Sequence, residues 1–491
     1  MSLINDLQFS MRQLRRAKVF AVVAVATLAL GIGCNTAIFS VFYSVLLRPL
    51  PFSDPDRLVI VSERATSFPM LTASWLNFKD WKAHSTSFEE FGATRVVTMA
   101  LTGSGQPEQI PAQMISGNLL HLLGVGTVAG RPISAADDQP ASPAVALLGY
   151  GLWQRRFGGA ENVIGQTITL DRQTYTVVGV LPQGFELLQQ APDFVVAMGP
   201  WASKLPNDRS WHPGINAIAR LKHEVSLSQA RAEMSTIARR LYAKDSYDNI
   251  AIDAVVNPMQ AQLVSDVKPA LTMLLGAVIF VLLIACGNIA NLMLARATAR
   301  RREIAIRMSL GALDWTIIKQ LIVEGLVLSL TGAVVGVALA YLLMPSLLHA
   351  AGGVLPPGTE VHIDARVLLF TVILSICAGV FFGIAPAGQI RLRDLRTVLN
   401  ETERAGSGKR ARLLRNGLVV SEISLALLLM MGAGLFVRSL SRLSAVNLGF
   451  SEDHLLTANL PVPPAATAPT EAHRNMEFYE NTLRELRALP A

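Results

Sequence analysis

The sequence predicts a polytopic α-helical membrane protein with a large α+β domain inserted between its first and second spanning helices. Mean hydropathy over the 491 residues is +0.40, and only 16% are charged. A typical soluble domain has about 25% charged residues. The apolar residues form five runs, each reaching the roughly 20 residues that a spanning helix needs. These runs are 20–47, 270–295, 316–344, 366–388 and 416–437.

The positive charge is concentrated in three segments between the apolar runs. Residues 1–19, 296–315 and 389–415 hold 17 Lys and Arg, whereas 345–365 holds none. Because positively charged loops stay in the cytoplasm, the three basic segments and the N-terminus are predicted to be cytoplasmic. The segment 48–269 is then outside. Its 19 basic and 20 acidic residues nearly cancel, so the net positive charge gives no reason to expect a nucleic-acid partner.

The first element is a cytoplasmic N-terminus (1–19) that leads into the first spanning helix (20–47). Four basic residues precede this run, as they do in secretory signal peptides. An apolar core of 28 residues is much longer than the roughly 7–15 of a signal peptide. We therefore predict an uncleaved anchor that begins inside and ends outside.

The exported segment 48–269 has the pattern of an α+β domain with its own core, in two lobes. Residues 171–180 alternate like a strand that Pro182 and Gly184 terminate. Residues 75–84 and 227–242 carry apolar residues three and four apart, which predicts amphipathic helices.

The second half of the chain repeats the entry pattern of the first. Residues 412–434 are similar to 15–33, and LGFSE (448–452) is similar to LPFSD (50–54). We therefore expect helices 2–4 in 270–388, a cytoplasmic linker in 389–415, a fifth spanning helix in 416–437, and the start of a second, truncated domain in 438–491. The alternative is chance similarity between two helices with basic flanks.

Catalytic signatures are absent from the sequence. It contains no HExxH, no GxSxG, no CxxC pair and no histidine pair at helical ligand spacing. The nearest approach to a phosphate loop is Gly406-Ser-Gly408-Lys409. Glu403 stands where a P-loop needs glycine, and Arg410 where it needs Ser or Thr. The chain is therefore predicted not to be an enzyme, with no catalytic residue, no cofactor and no metal site.

The most informative stretch follows the second apolar run. RATARRREIAIRMSLGA (296–312) begins with four arginines and then alternates charged and apolar residues at helical spacing, until Gly311 ends it as a C-cap. A short amphipathic helix at the inner surface explains the pattern. It is either an interfacial helix with snorkelling arginines or a docking helix for a cytoplasmic partner.

Two glutamates lie inside predicted spanning helices. Glu324 is about two turns inside the third helix and Glu422 about two turns inside the fifth, both near the cytoplasmic end. Ionisable residues in such positions pair with a neighbour or mark a pathway. With so few charges near the midplane, we expect interhelical hydrogen bonds.

Several long motifs resemble one family. REIAIRMSLGA (302–312), preceded by NIANLMLARATARR (288–301), resembles the FtsX/MacB-type permease domain of ABC transporters. LLRPLPFSDPDRLV (46–59), SGNLLHLLGVGTVAGRPIS (116–134) and the stretch 147–185 resemble its periplasmic core domain. The similarity extends from about residue 8 to residue 489. The restart at 412 resembles the duplicated permeases of acidobacteria, so the chain is expected to be a fragment of one.

The resemblance implies a fold, a mechanism and a set of residues. The exported domain would have a porter-like part and a second lobe. The helix at about 300–312 would be a coupling helix that sits in a groove of the ATP-binding subunit. Arg302, Glu303, Ile306, Arg307 and Gly311 would carry that role. ATP hydrolysis by that separate subunit would move the periplasmic domains, which is called mechanotransmission.

The resemblance also implies a location and partners. The chain would lie in the bacterial inner membrane, with its N-terminus in the cytoplasm and its large domain in the periplasm. Its partners would be an ABC ATP-binding subunit, the lipid bilayer and a second permease half, with a periplasmic adaptor as a further candidate. The alternative function is a non-transporting signalling or scaffold protein of the FtsX type, acting on a periplasmic partner.

Overall fold

The computed structural model describes residues 3–103, 107–245, 249–299, 306, 314–350, 361–390, 409–446 and 469–488. The chain divides into two compact units. One is helical and is built mainly on Met1–Arg48 and residues 266–454. The other, called the inserted domain below, is built mainly on Pro49–Ser265.

The described helices and strands are named here in chain order. The helices are α1 (Leu3–Arg16), α2 (Lys18–Phe42), α3 (Trp75–His84), α4 (Leu119–Leu123), α5 (Tyr150–Phe157), α6 (Gly199–Ala202), α7 (Leu227–Lys244), α8 (Met259–Leu263), α9 (Lys268–Ala299), α10 (Asp314–Ala350), α11 (Ala365–Ile390), α12 (Lys409–Ser444) and α13 (Pro469–Arg487). The strands are β1 (Leu58–Arg64), β2 (Phe88–Thr102), β3 (Glu108–Ile115), β4 (Ala129–Gly130), β5 (Val145–Leu148), β6 (Thr167–Leu170), β7 (Gln173–Val180), β8 (Phe194–Ala197), β9 (Ile215–Leu221) and β10 (Asp253–Pro258).

The inserted domain contains one mixed sheet. Its described strands follow the order β10-β1-β9-β2-β3-β8-β5-β7-β4, and β6 pairs with both β2 and β7. The pairs β3–β8 and β5–β7 are parallel, and the other pairs are antiparallel. The strands of the two predicted lobes are therefore joined in a single sheet.

Both faces of this sheet are covered. On β1, Val59 and Val61 belong to one hydrophobic cluster, together with side chains of α3, α5 and α7. Leu58 and Ile60 belong to a second cluster, together with side chains of α4 and α8. Because successive strand residues point to opposite faces, the first four residues of β1, Leu58–Val61, are all apolar rather than alternately apolar and polar.

The local elements of the inserted domain follow from their turn and cap residues. The predicted strand 171–180 begins at Gln173, because Asp171 and Arg172 both have positive φ (48° and 66°) and form the turn between β6 and β7. The two predicted helices are confirmed. Ser74 caps α3, and Ser226 with Gln229 forms a capping box on α7.

The helical unit contains five described helices long and apolar enough to cross a membrane. They are Lys18–Leu47, which includes a π-helical turn at Tyr43–Leu47, then Lys268–Ala297, Trp315–His349, Ala365–Ile384 and Asn416–Ser439. They are called the first to fifth spanning helices below. Together with the α+β domain between the first two, they confirm the predicted fold class.

The N-terminal residues form a helix that sequence analysis did not predict. In α1, Ser10 and Leu14 are buried, whereas Arg12, Arg15 and Arg16 are exposed. The helix packs against α10 and α2. Its signal in the sequence is the spacing of Leu7, Ser10 and Leu14, which is that of one helical face.

Candidate functional site

The predicted coupling residues lie in the segment between α9 and α10, called the connecting segment (residues 300–313) below. Arg302, Glu303, Arg307 and Gly311 lie outside the described residues. Ile306 is described: it is helical, and its side chain is 53% exposed. The coupling role of all five residues stays a prediction, so the structural evidence comes from the helices on either side.

Arg296 is the last described basic residue before the connecting segment, in the final turn of α9. Its Nη1 donates to Oε1 of Glu324 in α10 at 2.5 Å. Its Nη2 donates to the backbone carbonyl of Gln13 in α1 at 3.2 Å. Its guanidinium carbon lies 4.8 Å from the ring centre of Phe20 in α2. One side chain therefore contacts three helices besides its own.

Glu324 is almost completely buried, with 2% of its side chain exposed. A carboxylate at this depth is tolerated in a spanning helix when it is paired. The pairing with Arg296 confirms the predicted interhelical bond. Because an arginine fork can bridge two acceptors with separate N–H groups, Arg296 neutralises the carboxylate and also holds the carbonyl of Gln13.

Glycine contacts bring the first and third spanning helices close together. A methyl group added to Gly33 would lie 2.8 Å from the carbonyl oxygen of Gly336. One added to Gly332 would lie 2.6 Å from Cβ of Leu28. Gly332 and Gly336, four residues apart on the third spanning helix, therefore form an intrachain helix contact of the kind that small residues allow in membranes.

Two buried polar residues fasten α2 to other helices. Asn35 donates through Nδ2 to the carbonyl of Val278 in α9 at 2.8 Å. The hydroxyls of Thr36 and Thr371, the latter in α11, lie 2.9 Å apart. The first spanning helix thus has close or polar contacts with the second, third and fourth, which places it at the centre of the bundle.

The prediction of an interhelical hydrogen bond is wrong for Glu422. Its Oε1 is buried without a hydrogen-bond partner among the described residues. It lies against Gly287 in α9, where an added methyl group would be 2.8 Å away. The expected hydrogen bond fails because α9 presents a glycine, with no side chain to donate, where α12 crosses it.

The inserted domain has its own buried carboxylate. Glu63, fully buried in β1, accepts bonds from the backbone N–H of Ser74 (2.8 Å) and Nδ2 of Asn77 (2.9 Å). Nε2 of His212 lies 2.7 Å from its second oxygen. The hydrogen bond with Glu63 raises the pKa of His212 against the opposing effect of burial. Sequence analysis missed this cluster, because its residues are far apart in the chain.

The segment that carries His212 is fixed by a second set of bonds. Arg209 donates to Oδ1 of Asn77 (2.7 Å), Oδ2 of Asp80 (2.6 Å) and Oδ2 of Asp245 (3.2 Å). Asn77 thus links the Glu63 and Arg209 clusters. The arrangement clamps residues 209–212 to β1 and α3, which is a structural role within the domain.

The comparisons with known proteins agree with this architecture. The family model of the MacB-like periplasmic core domain matches residues 21–237. The model of the FtsX-like permease C-terminal domain matches residues 275–394. The first match covers nearly all of the first spanning helix and most of the inserted domain, and the second covers most of the second spanning helix and all of the third and fourth.

Named relatives point to the same group. The pyoverdine export ATP-binding/permease protein PvdT of Pseudomonas syringae pv. tomato is 29% identical over 261 residues, or 52% of this chain and 38% of the relative. The macrolide export ATP-binding/permease protein MacB of Campylobacter jejuni is 25% identical over 281 residues, or 56% of this chain and 42% of the relative. The chain therefore spans about two fifths of the length of the curated relatives it matches.

A solved structure is also similar. The periplasmic region of MacB from Actinobacillus actinomycetemcomitans matches with a TM-score of 0.33 and 11% identity, covering 43% of this chain and 92% of that one. Because this score is low, the assignment rests on the sequence matches and on the spanning helices. The chain therefore belongs to the FtsX/MacB-type permeases of the ABC exporter family, as a multi-pass membrane protein with a large periplasmic domain.

Proposed function

We propose that this chain is the permease part of an ABC-type exporter that works by mechanotransmission. A separate cytoplasmic ATP-binding subunit would hydrolyse ATP, and the spanning helices would convert its movement into movement of the periplasmic domain. The observation that carries the proposal is the packing of the first spanning helix. It is fastened to both helices that flank the connecting segment, and it runs directly into the periplasmic domain at Pro49.

The connecting segment is the proposed contact with the ATP-binding subunit. Arg302, Glu303 and Arg307 would fix its register through ion pairs, and Ile306 would seat in an apolar part of the groove. Ile306 is helical and exposed, as a residue in this role must be. Gly311 would end the helix, so that the unit that docks is short and rigid.

The proposed setting is the bacterial inner membrane, with the N-terminus in the cytoplasm. The basic segments 1–19, 296–315 and 389–415 support this orientation. A second permease half would complete the transporter, either within a longer chain or by homodimerisation, and a periplasmic adaptor is a further candidate partner. The relatives are named as ATP-binding/permease proteins, which supports an ATP-binding partner for the permease part.

The test is to purify the chain in lipid nanodiscs with candidate ATP-binding subunits from the same cell, and to measure binding and ATPase stimulation. Glu303→Arg and Gly311→Trp should each abolish stimulation while membrane insertion is unchanged. Glu224→Arg is the matched control, since Glu224 is exposed in the periplasmic domain, and it should behave as wild type. Unchanged stimulation in the two segment variants would contradict the docking role.

Measurements in cells distinguish transport from the alternative function. If the ATP-binding subunit binds and is stimulated in nanodiscs, but cells show neither secretion of a substrate nor resistance, the chain would act on a periplasmic partner without transport. If no subunit binds in any nucleotide state, the mechanotransmission proposal is wrong.

A further inference from the structure

We propose that Arg296 is a positioning residue that links the connecting segment to the first spanning helix and the N-terminal helix. The inference rests on the proposed function, because it names the path by which movement of the connecting segment would reach the periplasmic domain. It stands on contacts in the described residues of the helical unit.

The position of Arg296 is the first step. It lies four residues before the connecting segment, and its partner Glu324 lies in the helix that follows the segment. The ion pair therefore joins the two helices that flank the segment. A displacement of the segment that moves either helix must move the other or break a buried pair, and leaving one charge of such a pair uncompensated is strongly unfavourable.

The remaining contacts of the guanidinium are the second step. The bond to the Gln13 carbonyl ties the pair to α1, and the contact with the Phe20 ring ties it to the first turn of α2. A guanidinium can make these contacts at the same time because its donors are fixed in one plane, whereas an ammonium is a point charge on a flexible stem. Phe20 and Gln13 are both partly buried.

The direction of transmission is the third step. α2 is in close backbone contact with α10 through Gly33 and Gly336, so the two helices cannot readily separate midway along their length. A push on α10 from the connecting segment then acts on α2 at two levels, at Phe20 through Arg296 and at Gly33. The two helices would therefore move together, and α2 leads into the periplasmic domain.

The two test substitutions are conservative, so that both variants should still fold. Arg296→Lys keeps a positive charge beside Glu324 and removes the fork that also reaches Gln13. Phe20→Leu keeps an apolar side chain and removes the ring. Arg438→Lys is the matched control, since Arg438 is exposed on the fifth spanning helix.

The first measurement needs no partner. Hydrogen exchange of the full chain in nanodiscs should show that Arg296→Lys speeds amide exchange in residues 3–16 about tenfold, the effect expected from losing one charge-assisted hydrogen bond. Phe20→Leu should speed it less, because it removes only the ring contact with the guanidinium. The Arg438→Lys variant should match wild type. Unchanged exchange in both test variants would overturn the inference, whether or not an ATP-binding subunit binds.

The second measurement adds the ATP-binding subunit, with and without ATP and vanadate. Arg296→Lys should leave subunit affinity within about twofold, because the connecting segment is intact, and should remove most of the nucleotide-dependent change in exchange across residues 18–47. A purely structural role would not separate binding from response in this way. A full nucleotide response in Arg296→Lys would overturn the inference. Failure of wild type to bind any subunit would instead overturn the proposed function, and the first measurement would still decide whether Arg296 anchors α1.

Discussion

Glu324 in the helical unit and Glu63 in the periplasmic domain are both buried carboxylates paired with a basic residue, but the two partners differ in kind. Glu324 pairs with Arg296, and Glu63 pairs with His212. Arginine stays charged at every accessible pH, whereas histidine loses its charge near neutrality. The comparison shows that only the second of these pairs has a basic partner of a type that loses its charge near neutral pH.

The largest expected effect comes from removing Glu324. Glu324→Ala leaves Arg296 as an uncompensated buried charge, and we expect a loss of about 3–5 kcal/mol in the free energy of unfolding. The measurement is denaturation of the full chain in mixed micelles. Glu480→Ala, at an exposed site in α13, is the control and should change the stability little. A loss that differs between about pH 6 and about pH 8 would contradict the pairing with an arginine.

Removing Glu63 should have the next largest effect. Glu63→Ala orphans two buried donors, the N–H of Ser74 and Nδ2 of Asn77, and also removes the partner of His212. Since each orphaned donor costs about 1–3 kcal/mol, we expect a total loss of about 3 kcal/mol. Glu63→Gln keeps one acceptor oxygen and should lose less. Equal losses in the two variants, measured by thermal unfolding, would mean that the bonds to Ser74 and Asn77 contribute nothing.

How much of the fold and of the candidate site could be predicted from the sequence depends on how far apart in the chain the interacting residues are. The five spanning helices and the α+β class follow from the lengths of the apolar runs and from local periodicity. The depth of Glu324 could also be read from its helix. Its pairing with Arg296, 28 residues away, could not, because the pairing depends on how two helices are rotated about their axes.

Glu422 also shows that the sequence reveals the depth of a glutamate in a helix but not its partner. Its depth in the fifth spanning helix resembles that of Glu324, yet it faces Gly287 rather than a donor. The N-terminal helix is hidden for another reason. A short basic segment before an apolar run is typical of an orientation signal, and the helical spacing of Leu7, Ser10 and Leu14 lies within that segment. The Glu63 cluster joins three segments of the chain, namely β1, the start of α3 and the segment that carries His212, which no local pattern reveals.

A glycine substitution tests whether close backbone contact stabilises the packing of the first and third spanning helices. Gly336→Ala would place a methyl group 2.8 Å from the Ala29 carbonyl and 2.9 Å from the Gly33 nitrogen. We expect destabilisation of about 1–3 kcal/mol from this overpacking. In Gly432→Ala nothing lies within 4 Å, so this control should be neutral. Neutral behaviour of both variants, in the same denaturation assay, would show that the close contact is unimportant.

The smallest expected effect is the pH dependence of the His212 pair. The hydrogen bond with Glu63 raises the pKa of His212 above its ordinary value in the unfolded chain. The stabilisation is therefore fully present below the unfolded pKa of about 6.5, and it is lost as pH rises through the higher folded value. We expect His212→Gln to cost about 1 kcal/mol at about pH 5.5 and less at about pH 8.5. Thermal unfolding at the two pH values measures the difference, and a larger loss at the higher pH would contradict the sign.

The central claim is that the connecting segment drives the periplasmic domain through the first spanning helix. The most direct test is hydrogen exchange of residues 49–265 in the complex with an ATP-binding subunit, with and without ATP and vanadate. We predict a nucleotide-dependent change in wild type, its loss without loss of binding in Arg296→Lys, and loss of binding itself in Glu303→Arg. A periplasmic domain whose exchange is the same in all nucleotide states of a bound wild-type complex would contradict the account.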